Sequence, residues 1–389
     1  MRVTYNFEHE SRLKAAFIGC GGHSYRNVYP VFQYAPVDLR AVCDLSDEKA
    51  QAYARQFGGL RTYTNHLDML EKEDLDCVFI VTGYDHANGA RLLHPQLASD
   101  CLRAGVNAWI EKPPVSSRQE VDQLRKDMTD SGKQLGVGFK KAFTPANWRA
   151  RAIIDSEEFG ELQTLSLRYP QPIPRPEDLL APEDEFNMLR LMFLDHLGHP
   201  LSALQLLGGT AASVYYTRTE TGTGFLNLNM HSGAVACIHL TSGGSQRAMA
   251  ERTEVSGDGG TVIVENNSRV TWCQSPYGDM FAMMQKLDGG DFARMMQSGG
   301  EDSMISRYGR DPDFTSVEED AAKVWEPEFS LGNLYNKGMF ILGYYNEIAY
   351  FCDAVLNDKP VDIGGIDYAE EGIKIYDAFK QGPNKLIEL

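Results

Sequence analysis

The chain has 389 residues, enough for two domains that each bury a sizeable core. Its 37 basic and 54 acidic side chains give a formal net charge of −17, which argues against nucleic acid and anionic membranes as default partners, because both favour excess Lys and Arg. The seven cysteines are scattered without a Cys-x-x-Cys pair, and the first residues lack the apolar core of a signal peptide. We therefore expect a cytoplasmic protein with reduced cysteines and no membrane span.

Short apolar segments alternate with amphipathic helical ones between Lys14 and about Phe139. The predicted strands are 15–19, 39–44, 77–82, 108–112 and 135–139, and the predicted helices are 46–57, 67–73, 97–104 and 117–131. The strands are rich in Val and Ile and almost continuously apolar, which is typical of strands buried on both faces. This alternation predicts βαβ units and a parallel sheet, in a first domain over residues 12–140.

The pattern changes after about Thr144. A predicted helix at 146–156 precedes segments in which polar and apolar residues alternate, at 163–169, 211–217, 224–229, 234–240, 251–256 and 270–273. Further helices are predicted at 188–207, 341–356 and 368–381. These elements predict a second α/β domain over residues 141–389 with a mainly antiparallel sheet that is open on one side. A Met-rich insertion at about 275–335 fits a surface excursion or a subunit contact, with a substrate lid as the alternative.

A glycine-rich loop directly follows the first predicted strand and leads into a helix. Glycines in this position let the backbone approach a pyrophosphate at a helix N-terminus. Ser24 stands where a third glycine or an alanine is usual. The loop residues expected to bind a dinucleotide are Gly19, Gly21, Gly22, His23 and Ser24. The alternative is a glycine turn that binds no ligand. This alternative is disfavoured because the glycines stand between a strand and a helix, and the next strand ends in an acidic residue.

Asp44 supplies that acid, at the end of the second predicted strand and about 25 residues after the loop begins. A carboxylate in this position accepts hydrogen bonds from the adenosine ribose. A 2′-phosphate would face the same negative charge, and no Lys or Arg follows before Lys49. The sequence therefore predicts NAD in preference to NADP.

A lysine follows the fourth of these strands, in the segment Glu111-Lys112-Pro113-Pro114. The carboxyl edge of a doubly wound sheet is where ligands bind, and Pro113 favours extended geometry for Lys112. Lys112 is thus a candidate catalytic residue, and Glu111 and Lys112 are both candidate cofactor contacts. The alternative is a strand-ending turn with a solvated lysine.

Asp195 and His199 are spaced i and i+4, on one face of the helix predicted at 188–207. A carboxylate that orients an imidazole is suited to proton transfer at neutral pH, although a histidine capped for packing is the more common arrangement in isolation. A metal site formed by Asp195, His196 and His199 is disfavoured because the three do not share one face. We expect no metal.

These motifs, in this order and together with the Gly138–Pro145 junction, resemble the Gfo/Idh/MocA oxidoreductases, the family of glucose–fructose oxidoreductase and inositol dehydrogenase. The resemblance implies a Rossmann dinucleotide-binding domain followed by an open-faced α/β domain whose sheet commonly mediates assembly, and thus a homodimer or homotetramer. It also implies that Lys112 and His199 flank the reacting carbinol, with Asp195 between them. His199 would take the hydroxyl proton while Lys112 hydrogen-bonds the same oxygen.

The chain departs from the family pattern in the loop that begins at Thr82 and borders the nicotinamide. Thr82 is thus a candidate cofactor contact. The family often has Thr-Pro-x-x-x-His, whereas here Gly83 and Tyr84 follow Thr82, with extra residues before His94. Leu197 also replaces the usual glycine of Asp-x-Gly-x-His. Substrate or reaction type could therefore differ from those of well-known members.

Two reactions are compatible with this resemblance. The favoured one is NAD-dependent oxidation of a hydroxyl on a sugar or polyol. The alternative is redox-neutral glycoside hydrolysis by oxidation, elimination, hydration and reduction, for which Tyr84 or Tyr169 could supply an extra acid or base. A catalytically silent NAD-binding regulatory protein is a third hypothesis, which the joint presence of Lys112, Asp195 and His199 disfavours.

The substrate could carry a negative charge. Four cations lie near the domain junction and the first strand of the second sheet: Lys140, Lys141, Arg168 and Arg175. Clustered around one pocket, they could hold a carboxylate, sulfonate or phosphate, whereas solvated surface charge is an equally good explanation.

Overall fold

The computed structural model describes residues 3–85, 91–180, 187–242, 251–274, 321–325 and 334–389. Most of the predicted insertion at 275–335 lies outside the described residues. The proposed lid or subunit contact therefore has no structural description here, except for the strand Ala321–Trp325 and the start of the helix Leu334–Ile341.

The first sheet is parallel, as predicted, and has six strands in the order β3-β2-β1-β4-β7-β8. Its strands are β1 (Leu13–Ile18), β2 (Val37–Cys43), β3 (Arg61–Tyr63), β4 (Cys77–Ile80), β7 (Asn107–Ile110) and β8 (Leu135–Val137), and β5 (Tyr84–Asp85) pairs with β6 (Arg91–Leu92) in a separate hairpin. The helices between them are α1 (Asp47–Phe57), α2 (His66–Lys72), α3 (His94–Arg103) and α4 (Arg118–Ser131). The sequence did not predict the short edge strand β3, which lacks an apolar run.

Capping residues explain where two of these helices begin and end. The side chains of Ser46 and Ser117 accept hydrogen bonds from backbone N–H groups in the first turns of α1 and α4. Gly58 and Gly132 end the same helices in the left-handed conformation that glycine adopts without strain.

The second sheet has nine strands in the order β16-β15-β14-β13-β9-β12-β11-β10-β17, and every pair is antiparallel except β9 with β12. Its strands are β9 (Leu162–Tyr169), β10 (Ala211–Arg218), β11 (Gly224–Met230), β12 (Val235–Leu240), β13 (Arg252–Gly257), β14 (Gly260–Glu265), β15 (Arg269–Gln274), β16 (Ala321–Trp325) and β17 (Leu386–Glu388). The predicted mainly antiparallel sheet is thus confirmed. It also contains three strands that the sequence did not predict, namely β14, β16 and β17.

The remaining helices of the described residues are α5 (Pro145–Ile154), α6 (Pro176–Leu179), α7 (Met188–Gly208), α8 (Leu334–Ile341), α9 (Tyr344–Leu356) and α10 (Ile366–Gln381). Helices α7 and α10 pack with the inward residues of the second sheet in one continuous core. Helix α9 instead covers a face of the first sheet, where Phe351 contacts Phe79 and packs in the same cluster as Trp109. This packing brings the N-terminal end of α9 to the carboxyl edge of the parallel strands. No helix in the described part of the chain is both long and apolar enough to cross a membrane.

Candidate active site

The glycine loop lies between the ends of β1 and β4. Gly19 has a φ of +107°, and a Cβ atom there would lie 2.0 Å from the carbonyl oxygen of Val81, so only glycine fits. Gly21 and Gly22 are different, because a Cβ at either position would have no atom within 4 Å. The backbone of these two residues is therefore open to a ligand.

Asp44 fixes the shape of this loop. Its Oδ2 accepts a hydrogen bond from the backbone N–H of Cys20 (2.8 Å), and its Oδ1 accepts one from the N–H of Ser46 (2.9 Å). The carboxylate thus sits beside the open backbone of the loop, which is where the sequence predicted a ribose contact. The open glycines and this carboxylate together fit a dinucleotide.

The helix predicted after the loop is irregular. Ser24–Val28 is π-helical and Tyr29–Gln33 is a 3₁₀ helix, in which Pro30 has no backbone N–H to donate. Ser24 is buried, and its hydroxyl approaches the carbonyl oxygen of Val81 at 3.5 Å. It therefore packs against the end of β4, as a third small residue of the loop would.

Glu111 connects the loop to the end of β7. The side-chain amide of Asn27 donates to Nδ1 of His23 (3.1 Å), which leaves the Nε2–H of His23 to donate to Glu111 Oε1 (2.8 Å). The other oxygen of Glu111 accepts from the backbone N–H of Lys112 (2.7 Å). Burial opposes ionisation of Glu111, but His23 and Lys112 outweigh it and hold its pKa below the usual value. Glu111 therefore remains a carboxylate that orders both segments.

Lys112 forms an ion pair with Asp195, with 2.9 Å between Nζ and Oδ1. Burial disfavours the charged ammonium, yet Glu111 and Asp195 outweigh it and raise the pKa of Lys112 above the usual value. The Lys112–Pro113 peptide bond is cis. Lys112 therefore stays protonated and can donate hydrogen bonds to a substrate oxygen.

His199 is 6% exposed, and its Nδ1 is buried without a hydrogen-bond partner. Burial, together with the charges of Lys140, Lys112 and Lys141, holds its pKa well below the usual value. The imidazole is therefore neutral near pH 7 and available to accept a proton.

The expected contact between Asp195 and His199 is not formed. The second oxygen of Asp195 lies 3.2 Å from Nδ1 of the neighbouring His196, whose ring centroid is 6.1 Å from that of His199. The carboxylate thus pairs with Lys112, which follows β7 and reaches it from across the domain junction, and it also lies beside His196. Among the described residues, no three His, Cys, Asp or Glu side chains are arranged to hold a metal ion.

His94 is a site residue to which the sequence analysis assigned no role. Its Nδ1–H donates to the carbonyl oxygen of Pro113 (3.0 Å), and its Nε2 accepts from the backbone N–H of Thr82 (3.3 Å). Burial lowers the pKa of His94, which agrees with a neutral ring that donates at one nitrogen and accepts at the other. It therefore links the loop at Thr82 to the turn that carries Lys112.

Two further residues come from α9. The hydroxyl of Tyr344 accepts a hydrogen bond from Lys140 Nζ (3.0 Å), and its ring is 5.9 Å from that of His23. Glu347 is fully buried and neither of its carboxyl oxygens has a partner. Burial and the charge of Glu111 raise its pKa well above the usual value, which favours the neutral carboxyl. The sequence predicted this helix but had no signal for which side would face the site.

The two tyrosines suggested as an extra acid or base are both near the centre. The hydroxyl of Tyr84 is buried without a partner, and burial and Asp195 raise its pKa. The ring of Tyr169 lies 6.1 Å from that of His199, and burial and Glu251 raise its pKa. Both hydroxyls are therefore protonated at neutral pH.

Thr82, the predicted cofactor contact, has a buried hydroxyl without a hydrogen-bond partner.

The four cations considered for an anionic substrate do not surround one pocket. Lys141 is buried in an ion pair with Glu251, and it lines a small cavity with Arg168, Tyr169 and His199. Lys140 instead donates to Tyr344, as described above. Arg175 is in a different cavity, where its guanidinium pairs with Asp178 at 3.1 Å. The charges of Lys141 and Arg175 are thus compensated within the chain.

The first domain of the chain matches a known protein family. Residues 13–139 match the model of a family described as an oxidoreductase family with an NAD-binding Rossmann fold. Over 272 residues the chain is 26% identical to the inositol 2-dehydrogenase of Rhizobium meliloti (strain 1021). The aligned region covers 67% of this chain and 77% of that protein.

Two solved structures are similar over nearly their full length. A dehydrogenase from Chromobacterium violaceum has a TM-score of 0.68 at 19% identity, covering 95% of this chain and 94% of that one. An oxidoreductase from Agrobacterium radiobacter in complex with NAD⁺, L-tartaric acid and magnesium has a TM-score of 0.69 at 14% identity, covering 97% and 98%. At these identities, the similarity shows that the two-domain fold is shared.

Proposed function

Because the chain is a member of the Gfo/Idh/MocA oxidoreductases, whose nucleotide-binding domain it carries at residues 13–139, we propose that it is an NAD-dependent dehydrogenase of a sugar or polyol hydroxyl. The observation that carries this proposal is the charged Lys112–Asp195 pair beside a neutral His199, at the sheet edge that also holds the glycine loop. A hydrogen-bond donor and a proton acceptor at one edge are what oxidation of an alcohol requires.

Each of these side chains has a separate task. Bound NAD supplies the hydride acceptor. The ammonium of Lys112 donates a hydrogen bond to the substrate hydroxyl and stabilises negative charge on that oxygen as the proton leaves. His199 accepts the proton at its imidazole, and Asp195 holds Lys112 charged and in place.

The preference for NAD over NADP rests on the end of β2. Asp44 places a negative charge there, and the exposed Leu45 follows it where an arginine would be needed to hold a 2′-phosphate. The first cation after Asp44 is Lys49, in α1. These residues favour a ribose with free hydroxyl groups.

The test is to incubate the protein with NAD and a panel of sugars and polyols, and to measure NADH and free sugar together. NADH formed in step with oxidised substrate supports the dehydrogenase. Sugar released from a glycoside without net NADH would instead support redox-neutral hydrolysis. No reaction with any substrate, despite NAD binding, would support the silent regulatory protein.

The variant Lys112→Met tests the assigned role. We expect kcat to fall by about 10²- to 10³-fold, since one preorganised donor to the reacting oxygen is lost, while NAD affinity changes little. The matched control is Lys126→Met, because Lys126 is exposed on α4 and pairs with Asp130 of the same helix. Equal losses of kcat in the two variants would contradict the role of Lys112.

We also propose that the chain self-associates through the open face of its second sheet and resides in the cytoplasm. Phe225 on β11 and Val235 on β12 are about half exposed on this sheet, and the ring of Phe225 stacks on His239 at 4.5 Å. The seven free cysteines favour a reducing compartment. Light scattering of the purified protein and of Phe225→Glu measures the assembly, and an unchanged dimer or tetramer in the variant argues against this face.

A further inference from the structure

A second cavity, of about 330 Å³, lies next to the proposed catalytic centre. Its walls are the segment Pro170–Arg175, the first turns of α7, and residues near the turn after β10. His196 lines one end, and its Nδ1 is 3.2 Å from Asp195, whose other oxygen contacts Lys112. His196 and Asp195 thus connect the cavity to Lys112, which would act on the substrate oxygen.

Hydrogen bonds hold the wall of this cavity in place. The side-chain amide of Gln171 donates to the carbonyl oxygen of Phe193 on α7 (2.9 Å). The N–H of Ile173 donates to the carbonyl oxygen of Gly222 (2.8 Å), and the guanidinium of Arg218 donates to the carbonyl oxygen of Ile173 (3.1 Å). The space is thus preformed, as small-molecule sites usually are.

The lining is mainly apolar. Leu189 and Met192 of α7 are 51% and 46% exposed, although both are large apolar side chains that border a concave surface. Phe193 and the three prolines of 170–174 complete this surface. Prolines, a thioether and an aromatic ring are good packing partners for a flat apolar group.

The charges of the cavity are balanced within the chain. Asp178 accepts hydrogen bonds from Arg175, and Arg175 together with Arg218 lowers the pKa of this carboxyl below its usual value. Arg218 donates to the carbonyl oxygens of Ile173 and Glu220. The lining holds two cations and two carboxylates, so its formal charge is zero, which suits a neutral ligand. Among the described residues that line the cavity, Gln171 has a buried Oε1 without a hydrogen-bond partner. This oxygen lies within the wall, so the surface that faces a ligand stays mainly apolar.

We propose that this cavity is a subsite for the aglycone of a glycoside, so that the substrate is a sugar that carries a neutral, apolar ring. This inference rests on the proposed function, because it requires a sugar hydroxyl between Lys112 and His199. A group attached to that sugar would extend past His196 and pack on Met192 and the prolines. A free monosaccharide or an inositol would leave the cavity unused.

The kinetic test uses matched methyl and phenyl glycosides of the same sugars, with NAD and the full-length protein. We expect the phenyl compound to have a KM about tenfold to a hundredfold lower, because its ring leaves water for an apolar surface. Met192→Glu should remove this difference and leave kcat/KM for the methyl glycoside within about twofold. Leu60→Glu introduces the same charge at another exposed apolar side chain, outside the cavity, and is the matched control. Equal KM values for the phenyl and methyl glycosides of every oxidised sugar would overturn the proposal.

A binding measurement separates this inference from the proposed function. Calorimetric titration of phenyl glycosides without NAD reports binding in the absence of turnover. Affinity that is lost in Met192→Glu and kept in Leu60→Glu supports the subsite, even if no NADH is formed with any sugar and the dehydrogenase proposal fails. Affinity that is equal in the two variants shows that the ring binds elsewhere and overturns the subsite, whatever the enzyme oxidises.

Discussion

Replacing Gly19 by Ala tests how the glycine loop is built. The backbone at Gly19 has a φ of +107°, and a left-handed conformation costs a residue with a Cβ about 1–2 kcal/mol. The new Cβ would also lie 2.0 Å from the carbonyl oxygen of Val81, whereas Cβ atoms in proteins keep at least 3.0 Å from such atoms. The backbone segments at Gly19 and Val81 must therefore separate by about 1 Å. Such overpacking costs about 1–3 kcal/mol. The free energy of unfolding should therefore fall by about 3 kcal/mol.

Gly21→Ala is the matched control, because a Cβ at Gly21 meets no atom within 4 Å. Its stability should stay within about 0.5 kcal/mol of the parent protein. The methyl group would, however, occupy the space through which a pyrophosphate approaches the backbone, so the Kd for NAD should rise at least about tenfold. Gly19→Ala is thus expected to lower the stability of the protein, whereas Gly21→Ala is expected to weaken NAD binding.

The assays are urea unfolding, followed by circular dichroism, and calorimetric titration with NAD. A loss of about 3 kcal/mol corresponds to a midpoint shift of about 1 M urea, for a slope of about 3 kcal/mol per M. A Gly19→Ala protein as stable as the parent would refute the steric reasoning. A Gly21→Ala protein with unchanged NAD affinity would show that the open loop is not the pyrophosphate site.

Two further predictions concern the cofactor and the pH dependence. Asp44→Ser should raise the Kd for NAD about tenfold, because the variant loses the ribose acceptor and its charge. The preference for NAD over NADP should therefore become smaller. Calorimetry with both dinucleotides measures the two Kd values, and an unchanged ratio of these values would contradict the prediction. The depressed pKa of His199 means that the neutral base persists below pH 6.5, so kcat/KM should fall only when the pH drops through that lower value. Lys140→Met removes a positive charge that disfavours the imidazolium, so the acidic limb of the pH profile should move to higher pH; a shift in the other direction would contradict the electrostatics.

Much of the fold follows from local patterns. Continuous apolar strands, serine caps and terminal glycines are short-range features, and each predicted element of the first sheet is present. Strand β14 pairs with its neighbours β13 and β15, and its run of β-branched residues at 262–264 was a local signal that the prediction did not use. Strand β17 was missed because it is only three residues long and pairs with the distant β10. Pairing with neighbours, more than intrinsic preference, makes such segments strands.

The site was predictable where sheet topology decides position. The carboxyl ends of parallel strands meet at one edge, so the glycine loop, Asp44 and the Glu111-Lys112 turn were expected together. Contacts between domains were not predictable in this way. The pairing of Asp195 with Lys112, and the approach of Tyr344 from a helix more than 200 residues later, depend on how α7 and α9 pack.

The electrostatics of the centre explain why the net charge of −17 is uninformative about catalysis. Burial and the charge of Glu111 raise the pKa of Glu347, which favours its neutral form, whereas the pKa of Glu111 is lowered. The charges of Lys112, Lys140 and Lys141 all disfavour the imidazolium form of His199. The same ammonium groups favour an alkoxide-like oxygen in this space, because a positive environment lowers the free energy of developing negative charge. The arrangement that keeps the base neutral therefore also assists the loss of the hydroxyl proton.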